Sequence, residues 1–185
     1  NTSNNEPEIK NIDGLTYVNG ILIVNKTYSL PKDYNPGSLS VDAKNAFDEM
    51  QKAAEKDNIK LWITSGFRSY SLQTSLYNNY VLKDGKEKAD TYSARPGHSE
   101  HQTGLAMDLN IVDSSFEGTK EAIWIADNCY KYGFIIRYPK GKEEITGYKY
   151  EPWHVRYLGK ELSEKVYKSG KTLEEYLNIT SKYSE

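Results

Sequence analysis

The order of strand-like and helix-like segments is the feature that most limits the fold of this chain. Its apolar runs are short, such as 21–24 and 134–136, and helical periodicity separates them at irregular intervals. Strands are predicted at 15–24 (two runs around Asn19-Gly20), 60–65, 104–111, 134–138 and 148–157, and helices at 40–55, 69–82, 118–131, 160–167 and 173–177. Because a regular βαβ alternation is absent, we predict an α+β fold: a single domain with a central antiparallel sheet flanked by helices.

Two polar stretches lie outside these elements. Residues 1–12 contain Pro7 and show no periodicity, so we predict a polar linker or stalk there and assign 13–185 to the folded domain. The second stretch, 83–96, is predicted to be a loop.

Composition excludes several classes of protein. The 185 residues carry 24 basic and 26 acidic side chains, and this net charge of −2 does not favour nucleic-acid binding. No apolar run reaches 18 residues, so no membrane-spanning segment is expected. The single cysteine, Cys129, excludes a disulfide framework within the chain, and its helical spacing from Ile125 and Ala126 predicts a buried thiol.

The three histidines provide the first indication of function. His101 precedes Gly104, which allows the chain to turn into a strand. Strand alternation then places Met107 on one face and Asp108 on the other, beside the small Ala106. We therefore expect His101 and Asp108 to be able to bind one metal ion with space left beside it.

A second segment, Glu151-Pro152-Trp153-His154, again places a histidine close to an acid. Two histidines and one carboxylate form the three-ligand set of a catalytic zinc site, which leaves one position open. Glu151 would then be free to act as a proton acceptor and donor. The alternative interpretation is that these are ordinary histidines at strand ends with nearby surface acids.

The spacing of these residues resembles that of a known family. The two motifs read Ser99-x-His101-x-x-Gly104-x-Ala106-x-Asp108 and Glu151-x-x-His154. Together they resemble the signature of the zinc D-Ala-D-Ala carboxypeptidases and dipeptidases of bacterial cell walls, the VanY and VanX group. The segment 65–69 is similar to the arginine motif of that group, and the resemblance covers about 21–159, most of the chain. The segments 21–31, 65–70 and 151–157 look most like the VanY and LdcB branch.

The resemblance implies a hedgehog/D-Ala-D-Ala metallopeptidase-like fold with a zinc site in a cleft. It assigns the zinc ion (Zn2+) to His101, Asp108 and His154, the role of general base and acid to Glu151, and a substrate-facing cation to Arg68. A guanidinium suits this position because it can bind a terminal carboxylate or a developing oxyanion with two parallel hydrogen bonds.

Further candidates for substrate binding each have an alternative. Ser99 could bind the substrate carboxylate or cap a local turn, and Gln73 could bind the peptide stem or lie solvated on a helix. Tyr138 and Trp153 could form cleft walls or belong to the core. His98 could be a third histidine ligand, with Asp108 then not bound to the metal, or a histidine at the rim of the cleft.

We therefore expect an L,D-carboxypeptidase that removes the C-terminal D-alanine from peptidoglycan tetrapeptides. The alternatives are a D,D-carboxypeptidase acting on pentapeptides, a zinc endopeptidase and a non-catalytic peptidoglycan-binding module. We also expect a monomer, located outside the bacterial cell in the wall or tethered to the membrane surface, with its export signal or anchor outside the given sequence. The expected partner is a stem peptide ending in D-alanine.

Overall fold

A four-stranded antiparallel sheet forms the centre of the protein. The structure, a computed structural model, describes residues 5–184. The sheet has the order β4-β5-β7-β6, and its strands are β4 (Ile63–Ser65), β5 (Ala106–Leu109), β6 (Phe134–Ile136) and β7 (His154–Tyr157). The α+β fold with a central antiparallel sheet is confirmed. The register pairs Asp108 with Ser65 on one side and with His154 on the other, so the sheet itself brings two predicted ligands together.

The strands are shorter than predicted at 104–111, 134–138 and 148–157. At the last of these, Pro152 lacks the backbone N–H that a ladder needs, and only His154–Tyr157 pair as a strand. Alternation along β5 is as predicted, since Met107 and Leu109 are buried in the main core while Asp108 faces a cleft.

A second, three-stranded sheet lies near the N-terminus. It consists of β1 (Ile9–Ile12), β2 (Leu15–Val18) and β3 (Ile21–Leu22), with the predicted turn at Asn19-Gly20. Both turn residues have positive φ, which Asn and Gly adopt readily. The linker prediction for 1–12 is wrong at Ile9–Ile12, because these residues pair with β2; residues 1–4 of the predicted linker lie outside the described part.

Seven α-helices surround the sheets within residues 5–184. They are α1 (Val41–Lys56), α2 (Tyr70–Asp84), α3 (Lys86–Ala89), α4 (Lys120–Asn128), α5 (Glu143–Thr146), α6 (Lys160–Ser169) and α7 (Leu173–Leu177). Helix α1 begins where predicted, since the Ser40 hydroxyl accepts a hydrogen bond from the backbone N–H of Ala43. Helix α3 lies within residues 83–96, which were predicted to be a loop. No helix of the described range is both long and apolar enough to span a membrane.

The sheet separates two hydrophobic clusters. Phe134 belongs to the main core beneath α1 and α4, whereas its neighbour Ile135 packs in a second cluster with residues of α6 and α7. Cys129 is buried in the main core as predicted, and burial raises the pKa of its thiol to about 12. Because both faces of the sheet are packed, the ends of β5 and β7 are held in a fixed geometry at the cleft.

Candidate active site

A cleft of about 290 Å³ opens at the edge of the sheet where β5 ends and the antiparallel strand β7 begins. Every residue that the sequence assigned to metal, catalysis or substrate lines it: Arg68, Gln73, Ser99, His101, Asp108, Tyr138, Glu151, Trp153 and His154. These side chains come from separate segments of the chain, so the fold rather than local sequence assembles them.

His101, Asp108 and His154 form a compact, buried group. Their potential ligand atoms all lie within 4.8 Å of one another. One carboxylate oxygen, Asp108 Oδ1, lies 3.1 Å from His101 Nε2 and 3.4 Å from His154 Nδ1. Tetrahedral bonds of about 2.0 Å to nitrogen and oxygen place neighbouring ligands about 3.3 Å apart. The three residues therefore fit a zinc ion.

The other ring nitrogen of each histidine lies within hydrogen-bonding distance of a protein oxygen. His101 Nδ1 lies 2.7 Å from the backbone oxygen of Gly66, and His154 Nε2 lies 3.1 Å from Glu100 Oε1. When these nitrogens donate, His101 Nε2 and His154 Nδ1 keep their lone pairs for a metal, which is the arrangement typical of metal-binding histidines.

Charges around Asp108 favour its ionised form. Burial alone would raise the pKa of this carboxyl, but His101, His154 and Arg68 outweigh burial and lower the pKa to about 2. Arg68 Nη1 lies 3.6 Å from Asp108 Oδ2. The deprotonated carboxylate is the form that a metal ion requires.

Glu151 lies beside this group without belonging to it. Its Oε1 is 3.9 Å from His154 Nδ1. Burial raises the pKa of Glu151 to about 8, even though His154 lowers it. A buried carboxyl with a pKa in this range can both accept and release a proton near neutral pH.

The four substrate-binding candidates all face the cleft, and three of them are nearly inaccessible. Gln73 is 3% exposed and therefore not a solvated helix position; its Nε2 donates to the backbone oxygen of Ala94, and its Oε1 has no protein partner. Ser99 is buried and makes no capping hydrogen bond. The ring of Tyr138 lies 4.8 Å from that of His154, and Trp153 both lines the cleft and packs against the main core.

His98 lies outside the group formed by His101, Asp108 and His154. Its Nδ1 is 2.9 Å from the backbone oxygen of Asn25, and its ring stacks edge-on against Tyr183. The three-histidine site that the sequence left open therefore does not form in the described residues, since Asp108 occupies the third position.

A buried ion network behind the site was missed by sequence reasoning. Glu100, adjacent to His101, bonds Arg137 and Arg156, and Arg137 also bonds Glu174. Arg156, expected only to stabilise the sheet, is 2% exposed and takes part in this network. The only sequence signal was the unusual position of two arginines in strand-like, apolar segments.

Comparison with known proteins agrees with this geometry. The model of the family VanY, D-alanyl-D-alanine carboxypeptidase, matches residues 37–160.

The chain belongs to the VanY family.

Among curated relatives, the chain is 41% identical to "Putative carboxypeptidase YodJ" of Bacillus subtilis, over 95% of this chain and 74% of that protein. Among solved structures, it is similar to the L,D-carboxypeptidase DacB of Streptococcus pneumoniae, with 42% identity, 96% and 99% coverage and a TM-score of 0.86. The LdcB LD-carboxypeptidase gives 44% identity, 96% and 98% coverage and the same TM-score.

A more distant VanY structure bears on the metal. The vancomycin-resistance D,D-pentapeptidase VanY, crystallised with Zn(II), is 35% identical to this chain over 84% of it and 97% of that protein, with a TM-score of 0.75. A zinc-binding relative, together with the buried His-Asp-His group, supports zinc as the metal of this VanY-family chain.

Proposed function

We propose that this VanY-family protein is a zinc carboxypeptidase that removes the C-terminal D-alanine from peptidoglycan tetrapeptides. The observation that carries the proposal is the cleft in which the buried group His101, Asp108 and His154 lies beside Glu151 and Arg68. The L,D preference is supported by DacB and LdcB, two L,D-carboxypeptidases that match this chain over nearly their whole length.

His101 Nε2, Asp108 Oδ1 and His154 Nδ1 would hold the metal. Zinc bound there would supply Lewis-acid polarisation of the scissile carbonyl and of the attacking water. Glu151, adjacent to the ligands but not one of them, would take a proton from that water. It would then deliver this proton to the amide nitrogen of D-alanine as the C–N bond breaks.

Arg68 would bind the free carboxylate of the substrate. Its Nη1 donates to Ser65 Oγ at 3.3 Å, and its buried Nε has no protein partner, so a donor remains for a ligand. Ser99 would add a hydroxyl at the D-alanine end. Gln73 Oε1 would accept from the peptide stem, while Tyr138 and Trp153 would form apolar walls.

A D,D-carboxypeptidase acting on pentapeptides is the second candidate. The observation that favours it is the similarity to the D,D-pentapeptidase VanY. The two activities differ in the residue that precedes the scissile bond, whereas the metal and Glu151 would serve both. We further propose that the protein acts as a monomer outside the cell, where peptidoglycan is accessible.

A pair of substrates tests the carboxypeptidase assignment against an endopeptidase. A tetrapeptide with a free C-terminal carboxylate should release D-alanine, and the same peptide with a C-terminal amide should be cleaved at least about 100-fold more slowly, because Arg68 loses its charged partner. Arg68→Ala should abolish this discrimination by slowing cleavage of the free acid. Equal cleavage of acid and amide would contradict the proposal.

A further inference from the structure

Glu100 is a buried acid in direct contact with one candidate ligand. It lies in a short 3-10 helix, Glu100–Thr103, and is 1% exposed. Its Oε1 accepts from His154 Nε2 at 3.1 Å, while its Oε2 accepts from Arg137 Nε at 2.8 Å and from Arg156 Nη1 at 3.2 Å. The two carboxylate oxygens therefore have different partners, since one faces the histidine and the other faces two guanidinium groups.

The arginines hold this carboxylate in place. Arg137 makes two bonds of 2.6 Å to Glu174 of α7, and the Asn25 side chain donates to the same Glu174. Arg156 also donates to the backbone oxygen of Leu22 at 2.8 Å. Rotation of Glu100 away from His154 would break charge-assisted hydrogen bonds to groups that are themselves buried, so its orientation is held by these contacts.

We propose that Glu100 is a positioning residue that orients His154 for metal binding. By accepting a hydrogen bond from the Nε2–H of His154, it leaves the Nδ1 lone pair directed into the site toward Asp108. This inference rests on the proposed zinc site, and it adds a residue that acts through a candidate ligand rather than as one.

The competing explanation is that Glu100 only balances charge in the core. The four buried charges comprise two carboxylates and two guanidinium groups, so removal of either acid leaves one unpaired cation. Glu174 is also 1% exposed and, like Glu100, forms an ion pair with Arg137. Its other side-chain hydrogen bond comes from Asn25, and it does not contact His154. Glu174→Gln is therefore a matched control for Glu100→Gln.

The experiment measures zinc affinity by competition with a chromophoric chelator for the full chain and both variants, alongside urea unfolding of the metal-free proteins. We expect Glu100→Gln to weaken zinc binding about 10–100-fold, and Glu174→Gln to change it less than about threefold at a comparable loss of stability. Equal weakening in both variants, or none in Glu100→Gln, would overturn the inference. Failure of the unmodified protein to bind zinc would overturn the proposed metal site as well.

A second measurement needs no variant and so does not depend on folding of Glu100→Gln. Nitrogen-15 NMR of the zinc-loaded protein should show His154 protonated at Nε2, with that proton protected from exchange with solvent. A spectrum in which Nε2 binds the metal and Nδ1 carries the proton would contradict the inference, because Glu100 could then not accept from this histidine.

Discussion

Glu151→Gln should make the metal-free protein more stable while abolishing its chemistry. Burial raises the pKa of this carboxyl from 4.5 to about 8. A raised folded-state pKa contributes stability that is fully present below the unfolded pKa and is lost as the pH rises through the folded one. The wild-type protein should therefore lose stability as the pH rises from 4.5 to 8. Glu151→Gln should not show this loss, because its neutral amide does not titrate.

The size of the effect follows from the same pKa. Each pKa unit corresponds to about 1.4 kcal/mol, so Glu151→Gln should gain about 3 kcal/mol relative to wild type at pH 7 and about 5 kcal/mol at pH 9. The two proteins should be equally stable below pH 4.5, where Glu151 is neutral in both the folded and unfolded states.

Urea unfolding in the presence of EDTA, repeated across pH 4–9, measures this difference. Glu161→Gln is the control, because that side chain is 88% exposed and solvent screens its charge. Zinc should reduce the advantage of Glu151→Gln, since the cation favours a nearby carboxylate. Parallel pH profiles for wild type and Glu151→Gln without metal would refute the argument.

Three further results are expected. Asp108→Asn should weaken zinc binding by at least about 10-fold in chelator competition, because the amide brings no charge to the site; unchanged affinity would place the metal elsewhere. Gly104→Ala should lower the free energy of unfolding in urea by about 2 kcal/mol or more. The reason is that Gly104 has a φ of +73° and that an added Cβ would lie 2.6 Å from the backbone oxygen of Ser38. An unchanged free energy of unfolding would show that this turn is not fixed. Cys129 should resist a thiol reagent at pH 8 until the protein is unfolded, and rapid labelling of the native protein would contradict its burial.

The candidate metal ligands His101 and Asp108 could be proposed from the sequence because their signals are local. His101, Gly104 and Asp108 lie within eight residues, and the strand that follows the glycine determines which way Asp108 points. His154 lies opposite Asp108 through strand register. The sequence suggested the ligand set but not this pairing, because register between distant strands depends on the whole sheet.

The N-terminal strand was missed although a signal for it exists. Asp13-Gly14 is a hairpin dipeptide of the same kind as Asn19-Gly20, and both of its residues have positive φ. The strand that precedes it, Ile9–Ile12, is exposed along its whole length, so no burial pattern marks it in the sequence.

The network around Glu100 could not have been predicted from the sequence. Its members come from positions 100, 137, 156 and 174 and from Asn25, and apart from the strand-like, apolar surroundings of Arg137 and Arg156 their local sequence does not indicate burial. Charged residues are rarely buried unless they are paired, and a single sequence does not show which charges pair across such separations.

Mass spectrometry of purified muropeptides measures the proposed carboxypeptidase activity itself. Tetrapeptide and pentapeptide are incubated with zinc-loaded protein, with Glu151→Ala and with chelator-treated protein. We expect the loss of one alanine from the tetrapeptide by the zinc-loaded wild type alone, with the pentapeptide intact. Loss from the pentapeptide alone would establish the D,D activity instead, and no mass change in either substrate would contradict the carboxypeptidase assignment.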